Sequence, residues 1–230
     1  MNRITAYETL ASDRQYLMRL ISEGEHQQQD FKYKVQDARK LARSVSAFAN
    51  TDGGRLLIGV RDDGHLSGVR DEEEIYMMHQ AAYKFCRPEA SIKFDTYHVA
   101  TTLDTGRNAV RTIVVATVPP SERKPIYAID DEGRRRAYIR IADENIVASP
   151  VHIIIWREEA STHGLLMQYT DSERQLMDVL ATTTRQTLNQ LVRRTKMPRR
   201  KTITLLARLV RYGLAEWHFE DHRFLFSLVK

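Results

Sequence analysis

Apolar residues at Ala38, Leu41, Ala42, Val45, Phe48 and Ala49 recur at intervals of three and four, which predicts a helix with one buried face. Asn50-Thr51-Asp52-Gly53-Gly54 ends it, because glycine reaches positive φ without a Cβ clash. The pattern then changes period, and the continuous apolar run Leu56-Leu57-Ile58 reads as a buried strand. Asp62-Asp63-Gly64 marks a turn, and Leu66-Ser67-Gly68-Val69 after it predicts a β-hairpin. Glu72–Cys86 is helical in pattern, with Ile75, Met78, Ala82 and Phe85 on one face. Strands are predicted at Ser91–Val99, Val110–Val118, Pro125–Ile129 and Ala137–Ile141; the clearest is the β-branched run from Thr112 to Val118, bounded by Pro119-Pro120. Arg14–Glu23 reads as a short helix, and Val151–Glu158, with three consecutive isoleucines, fits either a helix or a strand.

The pattern changes character near residue 165. Three helical segments follow in close order: Ser172–Ala181 carrying Leu176, Val179 and Leu180; Gln186–Thr195 carrying Leu188, Leu191 and Val192; and Pro198–Tyr212 carrying Ile203, Leu206, Leu209 and Val210. Thr170-Asp171-Ser172-Glu173 supplies N-cap residues, Pro198 suits an early helical position, and Gly213 stops the third helix. Leu214–Trp217 and Arg223–Leu228 then alternate as two strands around Glu220-Asp221-His222. Three helices and a hairpin within about sixty residues are the layout of a winged helix-turn-helix. The expected fold class is therefore α+β: a first domain over residues 1–160, with helices on a largely antiparallel sheet, and a winged helix-turn-helix over 168–230.

Composition adds little until it is resolved along the chain. With 42% hydrophobic and 28% charged residues, the 230-residue chain has an ordinary globular balance. No apolar run approaches membrane-spanning length and the N-terminal segment has no apolar signal core, so a cytoplasmic location and no membrane partner are expected. The single cysteine, Cys86, rules out an internal disulfide framework and reads as a small buried apolar residue. The scattered His65, His79, His98 and His152 have no metal-ligand spacing, and Gly53-Gly54 lacks the P-loop pattern, so no metal and no cofactor are expected.

The net charge of +5 is not spread evenly. Residues 171–230 carry twelve Lys and Arg against six Asp and Glu, while residues 1–170 carry 23 against 24. Clustered cations drive phosphate binding, so the asymmetry points to a nucleic-acid contact in the last quarter of the chain. The third helix opens with Arg199, Arg200, Lys201 and Thr202, the end that a recognition helix presents to base edges and phosphates. Arg193, Arg194 and Lys196 extend the patch, and Arg223 on the hairpin is placed to reach the DNA backbone or minor groove. In the first domain Arg134, Arg135 and Arg136 are further candidates, although Asp130, Asp131 and Glu132 just before them fit a solvated loop equally well.

Three separated blocks carry a family likeness. Glu25-His26-Gln27-Gln28-Gln29-Asp30-Phe31-Lys32, then Ser46 to Gly54, then Leu56-Leu57-Ile58-Gly59-Val60-Arg61-Asp62-Asp63-Gly64, in that order, resemble the Schlafen-type AlbA-like domain. Lys124-Pro125-Ile126-Tyr127 and Ala137-Tyr138-Ile139-Arg140 are similar to its closing strands, so the resemblance covers roughly residues 20–150. It implies an α+β domain that binds DNA or RNA, often beside a helix-turn-helix in bacterial transcriptional regulators. It also implies an alternative, because some animal members cut RNA with acidic residues of this domain. Closely spaced carboxylates can hold Mg²⁺ or Mn²⁺ and activate water. The matching positions here are Glu25 and Asp30, with Asp62 or Asp63 third, because Arg61 stands where an acid is frequent. The expected function is a non-enzymatic DNA-binding transcriptional regulator with DNA as partner, RNA as a second partner class and homodimerisation as a further expectation. A metal-dependent nuclease and a protein-interaction adaptor are the alternatives.

Overall fold

The computed structural model describes residues 3–69, 72–102, 108–159 and 170–229. They divide into two compact units, Met1–Val147 and Ala148–Lys230. In the first unit, helix α1 (Arg3–Ser22) precedes strand β1 (Gln29–Lys32), helix α2 (Ala38–Asn50), strand β2 (Gly54–Ile58) and helix α3 (Glu72–Tyr83). Six strands follow: β3 (Cys86–Arg87), β4 (Lys93–Thr102), β5 (Asn108–Val118), β6 (Tyr127–Ile129), β7 (Arg135–Ile141) and β8 (Glu144–Val147). They form two four-stranded sheets, β1-β2-β5-β4 and β3-β6-β7-β8, instead of the one sheet expected. Only the β1–β2 pair is parallel, so the unit is α+β and dominated by antiparallel pairing.

The first sheet is buried on both faces because successive strand side chains point to opposite sides. Leu57, Ile113 and Val115 face a core with Leu17 and Leu20 of α1, whereas Leu56, Ile58, Val114, Ala116 and Val118 face one built on α2 and α3. That explains why Leu56-Leu57-Ile58 reads as an uninterrupted apolar run. Strand β4 is an edge of this sheet. Helix α1 covers that edge: Asp13 accepts the His98 N–H at 2.9 Å, and Arg14 donates to the Ala100 carbonyl at 2.8 Å.

Helix α2 is nearly all buried, and its polar residues seam it to the second sheet. Asn50 donates to the Ile126 and Tyr138 carbonyls at 2.8 and 2.9 Å and accepts the Ile126 N–H at 2.7 Å. A Cβ at Gly54 would collide with the Phe48 ring, so the turn after α2 needs glycine for close approach as well as for helix termination. The hairpin expected after Asp62-Asp63-Gly64 is reduced to one bridge, Val60–Leu66. Instead Ser67 and Gly68 donate to the Gly59 carbonyl at 2.8 and 2.9 Å, and Gly59 sits at φ +92° with the Gly68 backbone against it.

The second unit contains helices α4 (Pro150–Glu159), α5 (Asp171–Ala181), α6 (Leu188–Thr195) and α7 (Arg199–Arg211), with strands β9 (Gln186–Thr187), β10 (Ala215–Glu220) and β11 (Arg223–Leu228) in the order β10-β11-β9. The Val151–Glu158 segment is thus helical, and Val151, Ile154 and Ile155 pack on the core of this unit, not in the first domain. The change of character expected near residue 165 lies outside the described residues. Capping boxes at Thr170–Glu173 and Thr187–Gln190 start α5 and α6. Leu176, Leu180, Leu191, Leu206, Leu209 and Phe226 form the centre of the core.

Candidate nucleic-acid interface

The corner between α6 and α7 is built to expose charge. Lys196 closes α6 in the left-handed region at φ 53°, buried Met197 anchors the turn, and α7 starts after Pro198 with no side chain capping its amides. The positive end of α7 therefore adds to Arg199, Arg200 and Lys201, all exposed. Arg199 donates to the Asn189 side-chain oxygen at 2.6 Å, a neutral partner that leaves its charge intact. Arg193, Lys196, Arg200 and Lys201 are exposed and make no ion pair among the described residues.

One of the expected contacts, Thr202, is structural instead, and a second, exposed Arg194, is held by neutral groups of its own chain. Thr202 is fully buried, and its hydroxyl donates to the Pro198 carbonyl at 3.3 Å, so it cannot reach a base. It belongs to the stripe Thr202, Leu205, Leu206 and Leu209 that packs α7 on the core. Arg194 donates to the hydroxyls of Thr182 and Thr183 and to Gln186, at 3.0, 3.1 and 3.0 Å, tying α6 to the loop after α5. Arg223 is exposed beside the hairpin turn, where Asp221 and His222 both take positive φ, 48° and 56°, as a two-residue turn of this hand requires. On the same hairpin Ser227 meets His218 at 3.0 Å and Glu216 at 3.2 Å. The hydroxyl donates to the carboxylate, so no histidine base stands ready to take its proton and the trio is not a nucleophilic triad.

The acids of the first unit show the opposite arrangement. Asp30 is buried, 4% exposed, with Lys32 at 2.8 Å, Arg140 at 3.5 Å and the Ser44 hydroxyl at 3.3 Å. Burial pushes its carboxyl up, but the hydrogen bond from Glu25 and the charges of Lys32 and Arg140 outweigh that and hold it below the ordinary value. Glu25 turns its carboxylate inward to accept the Phe31 N–H at 2.8 Å. Desolvation there, and then Asp30 alongside, raise its pKa. Asp62 and Asp63 lie exposed in the turn after β2, where Asp63 accepts the His65 N–H at 2.9 Å. Among the described residues no three His, Cys, Asp or Glu gather to hold a metal ion. With Lys32 and Arg140 already on Asp30, the residues present do not fit a divalent cation. Arg61 packs its guanidinium over Tyr33, 4.9 Å from the ring centre.

The arginine triplet in the first unit is mostly occupied. Arg134 pairs with Asp130 at 2.8 Å and Glu132 at 2.7 Å, and Arg136 lies 4.0 Å from Asp130. Arg135 alone of the three makes no ion pair among the described residues. Two important residues escape a reading by residue type. Asn50 looks like a helix stop but acts as a buried latch, and Arg140 is 2% exposed inside an apolar strand. The available signal was position: Arg140 sits among buried Ala137, Tyr138 and Ile139, where a cation requires an acid opposite.

Two sheets around a polar-seamed α2 define an α+β domain dominated by antiparallel pairing. The chain belongs to the Schlafen, AlbA_2 family, whose model matches residues 25–149, and the family points to nucleic-acid binding. Among solved structures the chain is similar to the DIP2311 protein from Corynebacterium diphtheriae, with 19% identity and a TM-score of 0.41. The match covers 77% of this chain and 40% of that one, so the chain spans less than half the length of that protein. No curated protein matches the chain. Among the described residues, no helix is long and apolar enough to cross a membrane.

Proposed function

We propose that the protein is a DNA-binding transcriptional regulator, acting in the cytoplasm, whose second unit works as a winged helix-turn-helix with α7 as the recognition helix. The observation that carries this reading is the row of unpaired cations at the α6–α7 corner, set on an uncapped helix N-terminus. In this reading Arg200 and Lys201 grip duplex phosphates or guanine edges, Arg193, Lys196 and Arg199 flank them, and Arg223 follows from the hairpin. Homodimerisation would match two half-sites of an operator, and light scattering that finds only monomer with and without duplex removes that part.

The test is the salt dependence of duplex binding. Arg200→Ala with Lys201→Ala is expected to weaken binding and to reduce the slope of log K against log salt by about 1.8, since each phosphate contact contributes about 0.9. An unchanged slope refutes the assignment of α7.

A further inference from the structure

Helix α3 turns Met78, Ala81 and Ala82 into the core and leaves a stripe outside. Tyr76 is 62% exposed and Tyr83 43%, and Ile75, expected in the core, is exposed as well. His79, also exposed, joins the stripe one turn after Ile75 and one turn before Tyr83. Its ring stacks on Tyr83 with centres 6.1 Å apart and planes 16° from parallel, and it meets Phe94 of β4 at 4.5 Å. Rings and an isoleucine this exposed lose contact with water only if something covers them.

The charges at the two ends of the stripe are opposite. Asp71, Glu72 and Glu73 precede it in the sequence, the last two in the first turn of α3. Glu74 is no part of that end, because it is buried and accepts the Val35 N–H at 3.3 Å. At the other end stands Lys84, exposed, its ammonium 5.5 Å from the Phe85 ring centre. Beside it Arg87 donates to the Tyr83 and Cys86 carbonyls at 3.0 and 2.7 Å, neutral partners that leave its charge intact. Glu89 beyond them is exposed and offsets one of the two cations, and Lys93 pairs with Asp95. An acidic end, an apolar middle and a basic end do not suit a polyanion. They suit the same stripe turned end for end.

We propose that this face of α3 binds a second copy of the chain, with the two α3 helices antiparallel about a two-fold axis at His79. Such an axis sets residue i of one copy against residue j of the other, and j against i. Ile75 and Tyr83 stand four residues on either side of His79, so each meets the other across the axis. Glu73 and Lys84 are eleven residues apart, about three turns, and so share one flank of the stripe. Antiparallel packing brings Glu73 of each copy toward Lys84 of the other, and it sets the two helix dipoles head to tail. A contact centred on one 12-residue helix, about 18 Å long, is small for a protein interface, so a dissociation constant in the micromolar range is expected. The inference takes up the homodimerisation of the regulator reading and gives it a surface, without any need for duplex contact at α7.

The experiment is sedimentation velocity of the full chain without nucleic acid, at low salt where screening is weakest, over a range of about 1–200 µM. The parent is expected to pass from monomer to dimer across that range. Ile75→Ala with Tyr83→Ala is expected to weaken the dimer at least about tenfold. Glu73→Lys and Lys84→Glu, each alone, are expected to weaken it about fivefold, and an equimolar mixture of those two variants to recover the dimer, because each then meets its opposite charge. That recovery is a readout that a loss of folding would not give, and circular dichroism checks the fold of each variant. A parent that stays monomeric at the highest concentration overturns the proposal together with the homodimer of the regulator reading. A dimer that none of these variants weakens overturns the α3 surface alone. Weakening by the single charge reversals without recovery in the mixture overturns the antiparallel arrangement. Failure of the α7 variant to affect duplex binding would leave each of these results unaltered.

Discussion

The two units spend their charges in opposite ways. Around β1, Asp30 is enclosed by Lys32, Arg140 and Ser44, and Arg140 further donates to Asn145 at 3.0 Å and to the Gln29 carbonyl at 3.2 Å. At the α6–α7 corner, Arg200 and Lys201 pair with no carboxylate among the described residues and face solvent. A charge neutralised inside the protein holds the fold together and offers little to a ligand, while a charge left unpaired adds nothing to the fold and remains available. The difference teaches that charge count alone misplaces function. The first unit contains Arg and Lys in number, but many are committed to partners of their own chain.

The sharpest way to break this comparison is to remove Asp30. Asp30→Ala leaves Arg140 as an uncompensated buried cation, and removal of one partner of a buried pair costs about 3–5 kcal/mol. Urea unfolding of the first unit is expected to show that loss, and a variant as stable as the parent would mean the cluster is not structural. A second test concerns a group that the second unit buries with no charged partner among the described residues. His152 packs against Trp217 and Phe224 with ring centres 4.8 and 4.9 Å away, and its Nδ1 accepts the Ser149 N–H at 3.2 Å. Burial pushes its pKa down to about 4, from an unfolded value of about 6.5. The unfolded chain therefore binds the proton first, so stability is complete above pH 6.5 and declines as pH falls toward 4. The expected loss in the second unit is on the order of 3 kcal/mol, measurable by denaturant unfolding followed through tryptophan fluorescence, and His152→Phe should flatten it. The smallest effect is expected for Arg200→Ala with Lys201→Ala, which should leave Tm within about 3 °C of the parent. A large fall would show that these side chains serve the fold after all.

Legibility followed the strength of the local pattern. Helix α2, the turn at Gly53-Gly54 and strand β2 were readable because a long apolar period switches abruptly to an apolar run across glycines. Strands β1 and β8 were not, since Gln29-Asp30-Phe31-Lys32 and Glu144-Asn145-Ile146-Val147 are short and half polar, and the division into two sheets depends on pairings distant in sequence. The α6–α7 corner was legible as a charged segment, but Thr202 was grouped with its charged neighbours when its spacing to Leu205, Leu206 and Leu209 already placed it on the buried stripe. Ile75 failed in the other direction, because α3 is turned so that Glu74 and Met78 lie inward. Arg140 shows the limit of composition: a cation in a strand reads as exposed until its acid is found 110 residues earlier in the chain.

The contact of α1 with β4 bears on how the protein behaves in a crowded solution. A ten-residue edge strand with free amides and carbonyls is a template on which another chain can add a strand. Asp13 and Arg14 occupy two of those backbone groups, a donor at His98 and an acceptor at Ala100, so the helix acts as a guard against edge-to-edge aggregation. Tolerance of high concentration in this protein is thereby tied to two polar side chains of α1, half-buried Asp13 and exposed Arg14.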